Sequence, residues 1–139
     1  MNSSFKINLD NNDKEIYLKA MLYAMAPRAT SRCEYIRKQA KEISFPAKDL
    51  NKIKKISKPE ALSLELLKLS DIRLRRYIIR EMILLAINDH ELSDKEICDM
   101  YKIGAAAGIK EDKINDFFIW AAQGVEWQID GIALVEEDL

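Results

Sequence analysis

Residues 71–96 read "DIRLRRYIIREMILLAINDHELSDKE", and this stretch decides the fold. Between Tyr77 and Ile87 the only charged residues are Arg80 and Glu81. A helix apolar on nearly every side has no solvent face and belongs at the centre of a bundle. Ile78, Ile79, Met82, Leu85 and Ala86 are therefore expected in the core. At Asn88-Asp89-His90 the apolar run stops, and Ser93 followed three residues later by Glu96 marks a new helix. The Ser side chain accepts from a free backbone N–H while the Glu reaches back to the N–H of the cap.

The same start signal recurs at Asn12 with Glu15, Ser31 with Glu34, and Ser57 with Glu60. Four such starts predict an all-α chain of about seven helices. The first is expected from about Asp13 to Met25, with Ile16, Ala20, Met21 and Ala24 on one stripe, ended by Pro27. A second runs from Arg32 to Ile43 and buries Ile36, Ala40 and Ile43. Pro46 opens a short helix carrying Leu50 and Ile53, and Pro59 opens another over "KPEALSLELLKL". After Asp94 the sixth helix sets Ile97, Met100, Tyr101 and Gly104 on one face and stops at Gly108, which suits a left-handed residue. The seventh starts near Glu111 and turns Ile114, Phe117, Phe118 and Ala121 inward; Trp120 can serve as core or as a surface anchor, and the core is the preferred place.

The chain ends break the helical pattern. Phe5, Ile7 and Leu9 alternate with polar residues, as do Val125, Trp127 and Ile129 before Asp130-Gly131. Alternation is a strand signal, and Asp-Gly between such runs is a hairpin signal. A small β element from the two termini is one reading; a helix continuing past Gly124 to Gly131 is the other. The division that follows is an N-terminal arm over 1–12, a helical domain over 13–123 and a C-terminal arm over 124–139.

With 139 residues the chain is the usual size of one domain with one core. Its net charge of −1 gives no global field for nucleic acid or an anionic membrane, so neither is expected as a direct partner. No apolar run is long enough to span a bilayer, and the start "MNSSFKINLDNNDKE" lacks the blocks of a secretory signal. A cytoplasmic protein is expected. Cys33 and Cys98 stand alone, which predicts two free thiols and no zinc site. Arg73, Arg76 and Arg80 form a stripe expected to pair with acids of neighbouring helices.

The two halves align without gaps, "MLYAMAPRATSRCEYI" on "ILLAINDHELSDKEIC", so that Leu22 meets Leu84, Ala24 meets Ala86, Ser31 meets Ser93 and Glu34 meets Glu96. Two pseudo-repeated helix–turn–helix units are expected. The segment "REMILLAINDHELSDKEICDMYKIGAAAGIKEDKI" and the helix pair before it resemble the tellurite-resistance TerB-like family. The hallmark there is an apolar helix, an Ala-x-x-Asp-Gly turn and a capped helix beginning near a Glu. Here it reads Ala86-Ile87-Asn88-Asp89-His90, with Ser93 and Glu96 following. The resemblance covers residues 13 to 122, and its specific part is about a dozen positions. It implies an all-helical bundle with pseudo-repeat symmetry, a place in bacterial stress-response or membrane-associated complexes, and a metal site built from the turn Asp and helix Glu of both units. It implies no catalytic reaction. His90 replaces the hallmark Gly, and Pro27 and Arg28 stand where the first unit would carry Asp and Gly, so that Glu34 alone survives there.

The acidic cluster thus has two readings. As a metal site, Asp89, Glu96 and Glu34, with Asp94 nearby, would supply carboxylates to calcium or magnesium, weakly because the set is incomplete. As a turn, Asn88 and Asp89 reverse the chain, Ser93 caps, and Asp94 and Glu96 suit the positive start of a helix. The second is preferred, with no cofactor. An enzyme, such as a metal-dependent hydrolase using Asp89, Glu96 and His90, is the alternative to the preferred function, a non-catalytic interaction module. Its partners would be other proteins, reached in some cases at a membrane face, or a second copy in a homodimer.

Overall fold

The long apolar helix holds the middle of the molecule. In the computed structural model, which describes residues 9–25, 32–89 and 91–136, this helix is α4, Ile72–Asp89. It packs most extensively against α1, Asn11–Ala24, and α6, Glu111–Glu136, and also meets α5, Asp94–Ala106. The second helix α2, Arg32–Glu42, lies on α1 and on a 3-10 turn over Ala47–Lys52, while α3, Pro59–Leu67, bridges α5 and α1. The architecture is an all-α bundle, and no strand occurs among the described residues. No helix among them is long and apolar enough to cross a membrane.

Helical periodicity builds one continuous core. Leu18, Met21, Leu62, Leu66, Ile78, Ile79, Met82, Ile83, Ile103 and Ile114 are fully buried. Leu85, expected among them, is half-buried at the core's edge, and Ile83 takes its place. A helix wrapped by α1, α5 and α6 still has one open side, and Leu85 faces a groove shared with Tyr17, Tyr35, Gln39 and Glu42. The close approach of α5 to α6 requires Gly104, where a Cβ would collide with the Ile114 side chain.

Two helix ends use the same device. At the end of α2 the Phe45 N–H donates to the Ala40 carbonyl at 2.7 Å, with Ser44 in the left-handed region at φ 59°. At the end of α5 the Ile109 N–H donates to the Gly104 carbonyl at 2.9 Å, with Gly108 at φ 83°. Both are Schellman closures, which satisfy carbonyls the helix leaves unpaired. Gly108 was legible as a stop; Ser44, without a glycine's freedom, was not.

The start of α1 differs from expectation. Its cap is Asp10, whose side chain accepts from the Asp13 N–H at 2.8 Å while Asp13 accepts from the Asp10 N–H at 3.3 Å, rather than Asn12 with Glu15. Leu9, partly buried against the core, anchors the chain two residues earlier. The start of α3 has Lys58 at the cap position with no side-chain bond, and Pro59 follows in the first turn, so Ser57 is not the cap. Ser31, Pro27, Arg28, Phe5 and Ile7 lie outside the described residues.

The C-terminal alternation is helical. Val125, Trp127 and Ile129 fall within α6, which passes through Gly124 and Gly131 to Glu136, a span of about 39 Å at 1.5 Å per residue. The apparent period of two arises because two apolar faces of one helix interleave. Val125 continues the core-facing line of Ile114, Phe118 and Ala121, and Trp127 belongs to a different line.

Candidate functional site

The turn between α4 and α5 is built from Ser93 and Glu96. The Ser93 hydroxyl accepts from the Glu96 N–H at 3.1 Å, and Glu96 Oε1 accepts from the Ser93 N–H at 3.2 Å and from the Ser93 hydroxyl at 3.1 Å. Both halves of the capping box are present. Asp94 adds a second carboxylate to the first turn of α5, where the helix dipole favours negative charge. One oxygen of Glu96 is thereby engaged in closing the helix start.

The other proposed metal ligands are not shown to join it. Asp89 is the last residue of α4, and its side chain and all of His90 lie outside the described residues. Glu34 is exposed in the first turn of α2, a helix that packs on α1 and the 3-10 turn, whereas α5 packs on α3, α6 and α4. Among the described residues no group of three or more His, Cys, Asp or Glu side chains is placed to hold a metal ion.

Beside the cap, a cleft of about 290 Å³ is lined by Tyr23, Met25, Lys55, Lys95, Glu96 and Met100 among others. Lys95 Nζ donates to Asp99 Oδ2 at 2.9 Å, and this bond holds the Lys95 ammonium above its ordinary pKa. Burial, with Asp99 nearby, pushes the Tyr23 phenol up to about 12. A phenol so raised is a poor proton donor or acceptor at neutral pH, and the ammonium is tied to its carboxylate. Neither of these two groups is tuned for acid–base work near neutral pH.

Burial also raises the phenols of Tyr17 and Tyr77 well above the ordinary range. The Tyr17 hydroxyl donates to Gln39 Oε1 at 3.3 Å, joining α1 to α2. These are packing tyrosines with a polar tip.

The basic stripe on α4 pairs within its own neighbourhood. Among the described residues Arg73 reaches Asp71, two positions back along the chain, at 3.5 Å, and Arg80 reaches the adjacent Glu81 at 3.6 Å. The Arg80 guanidinium lies 4.8 Å from the Tyr77 ring centroid and 5.0 Å from that of Trp120. Trp120, expected in the core, is 44% exposed under this cation. Its position on α6 lies off the core line of Ile114 and Ala121, so it meets α4 at the rim. Arg73, Arg76, Arg80 and Lys113 surround an open hollow of about 270 Å³ floored by Tyr77 and Phe117. The Nε atoms of Arg76 and Arg80 are buried there with no hydrogen-bond partner among the described residues.

The surface that the sequence reading missed is the distal half of α6. From Ala122 to Glu136 every residue is exposed except half-buried Val125. Trp127 is 77% exposed, and Ile129, Ile132, Leu134 and Val135 are also open. Its signal was the alternating 3-4 spacing of Phe117, Trp120, Gly124, Trp127, Gly131 and Leu134, hidden by the competing period of two. Cys98 is exposed and free, as expected; the Cys33 side chain lies outside the described residues.

No family model, no curated protein and no solved structure matches this chain.

Proposed function

We propose that this chain is a non-catalytic helical interaction module of the TerB-like type, working in the cytoplasm within a bacterial stress-response or membrane-associated complex. Its bundle is consistent with two related helix pairs, α1–α2 and α4–α5, with α1 against α4 at the centre. The observation that carries the reading is the distal half of α6, which exposes Trp127, Ile129, Ile132, Leu134 and Val135 together. Scattered exposed apolar residues are ordinary, but here they crowd one half-helix on two faces, Trp127 with Leu134 on one and Ile129 with Ile132 on another, which marks the element as a docking segment. Trp is also the residue most enriched at energetic centres of interfaces.

An isolated segment of this kind is unstable by itself. It contains two glycines and four β-branched residues, and helices of about 15 residues are marginal in water even with good formers. Packing against a partner supplies what propensity does not. The bundle serves as a rigid base, and its capped turn at Ser93 holds the α4–α5 angle rather than performing chemistry.

The test is recovery of cross-linked partners from the native cell with full-length chain, comparing wild type with the Trp127→Lys, Leu134→Lys double variant. Both positions are exposed, so the fold should survive. Proteins recovered with wild type should be lost with the variant. An unchanged set would show that the distal half of α6 is not the docking surface.

A further inference from the structure

We propose that the partner of the distal α6 surface is a second copy of this chain, paired antiparallel along α6. This deepens the docking reading above and rests on it. The line Phe117, Trp120, Gly124, Trp127, Gly131, Leu134 alternates steps of three and four, the seam of two packed helices. It is also self-complementary about a two-fold axis between residues 125 and 126. In that register Trp127 stands opposite Gly124 of the other copy, Trp120 opposite Gly131, and Phe117 opposite Leu134, each pair occurring twice. Both glycines have nothing within 4 Å of where a Cβ would sit, so the space for an indole is open. A parallel pair would instead set indole on indole and glycine on glycine.

Charge argues the same way. From Ile114 to Glu136 the helix carries no Lys or Arg, while Asp116, Glu126, Asp130 and Glu136 are acidic. The last turn of α6 has no basic residue to offset its negative dipole end. Antiparallel pairing carries that acidic end towards the root of the other α6, where Arg73, Arg76, Arg80 and Lys113 ring the hollow beside Phe117. The complementarity is reciprocal, as a two-fold interface requires. A lipid surface fits worse, because interfacial helices carry a basic polar face and this one is acidic.

The experiment is sedimentation equilibrium of the full chain over a concentration series, with single-cysteine cross-linking in a Cys33→Ser, Cys98→Ser background. Wild type should approach twice its 16.1 kDa mass. Gly131→Leu should weaken the dimer at least tenfold while leaving the monomer's helical signal intact, since the added side chain fills space meant for Trp120 of the partner. Ala122→Gln, an exposed and uncharged position on the opposite side of the helix, should leave the dissociation constant unchanged. Gly124→Cys should cross-link to itself, the two sites lying about 5 Å apart along the axis, whereas Leu134→Cys, about 25 Å from its mate, should not. A monomer at every concentration overturns the proposal, as does cross-linking at Leu134→Cys or binding to anionic vesicles by a chain that does not self-associate. A monomeric wild type that still loses partners with the double variant removes self-association and keeps docking. A dimer whose recovered proteins ignore the variant does the reverse.

Discussion

Arg75 on α4 donates from its guanidinium to the carbonyl of Ala107 at 3.1 Å, and its Nε donates to the carbonyl of Leu69 at 2.7 Å. One side chain thus joins the end of α5 to the loop after α3. Replacing it with Met keeps the apolar stem and removes both bonds. Bonds involving a charged group contribute about 1.5–3 kcal/mol each, and partial exposure lowers this, so Arg75→Met should cost about 2–3 kcal/mol. A urea midpoint equal to wild type would show that water replaces the bonds at no cost.

Core position separates two neighbours on α4. Ile83 is fully buried and Leu85 is half-buried, so Ile83→Ala should cost about 2–5 kcal/mol and Leu85→Ala clearly less. Denaturant titrations of the two variants give the order directly. Equal losses would place Leu85 as deep as its sequence context suggested.

That pair also shows what the sequence could reveal. Residues 77–87 are so apolar that their central place follows from composition alone, and Ser93 with Glu96 is a local signal that needs no tertiary information. Which apolar side chain of α4 lies outermost depends on where α1 and α6 stop covering it, and no local pattern carries that. Ser44 in a left-handed turn and Asp10 as the first cap are likewise set by the docking of Phe45 and Leu9. The length of α6 was hidden by the interleaving of its two apolar faces. For the acidic turn, the capping chemistry was legible, whereas the separation of α2 from α5 in the packing order was not.

The acidic turn should behave as a cap. Ser93→Ala removes a side chain that accepts the Glu96 N–H and should cost about 1 kcal/mol. Ligands that favour the folded state raise the melting temperature, so millimolar calcium or magnesium should shift it little in wild type. A large shift that disappears in Asp89→Asn would instead assign the turn to metal binding.

Alkaline pH should weaken the fold in a defined window. The Tyr23 phenol is raised from 10.0 to about 12 by burial, and Tyr17 and Tyr77 are raised in the same direction. Between the two values the unfolded chain has released the proton and the folded chain has kept it. Stability from Tyr23 is therefore full below pH 10 and is lost as pH rises through about 12. Urea midpoints measured from pH 9 to 12 should fall more gently for Tyr23→Phe than for wild type. Parallel curves would mean that this phenol does not couple to folding.

The claim that the distal half of α6 is held by a second copy is read most directly by amide hydrogen exchange across residues 123–136 at increasing protein concentration. Fifteen or so residues with two glycines and no packed face should exchange quickly when the chain is dilute. Protection should then rise with concentration in these amides, while those of α4 stay protected throughout. Exchange in 123–136 that is independent of concentration, whether fast or slow, would contradict it.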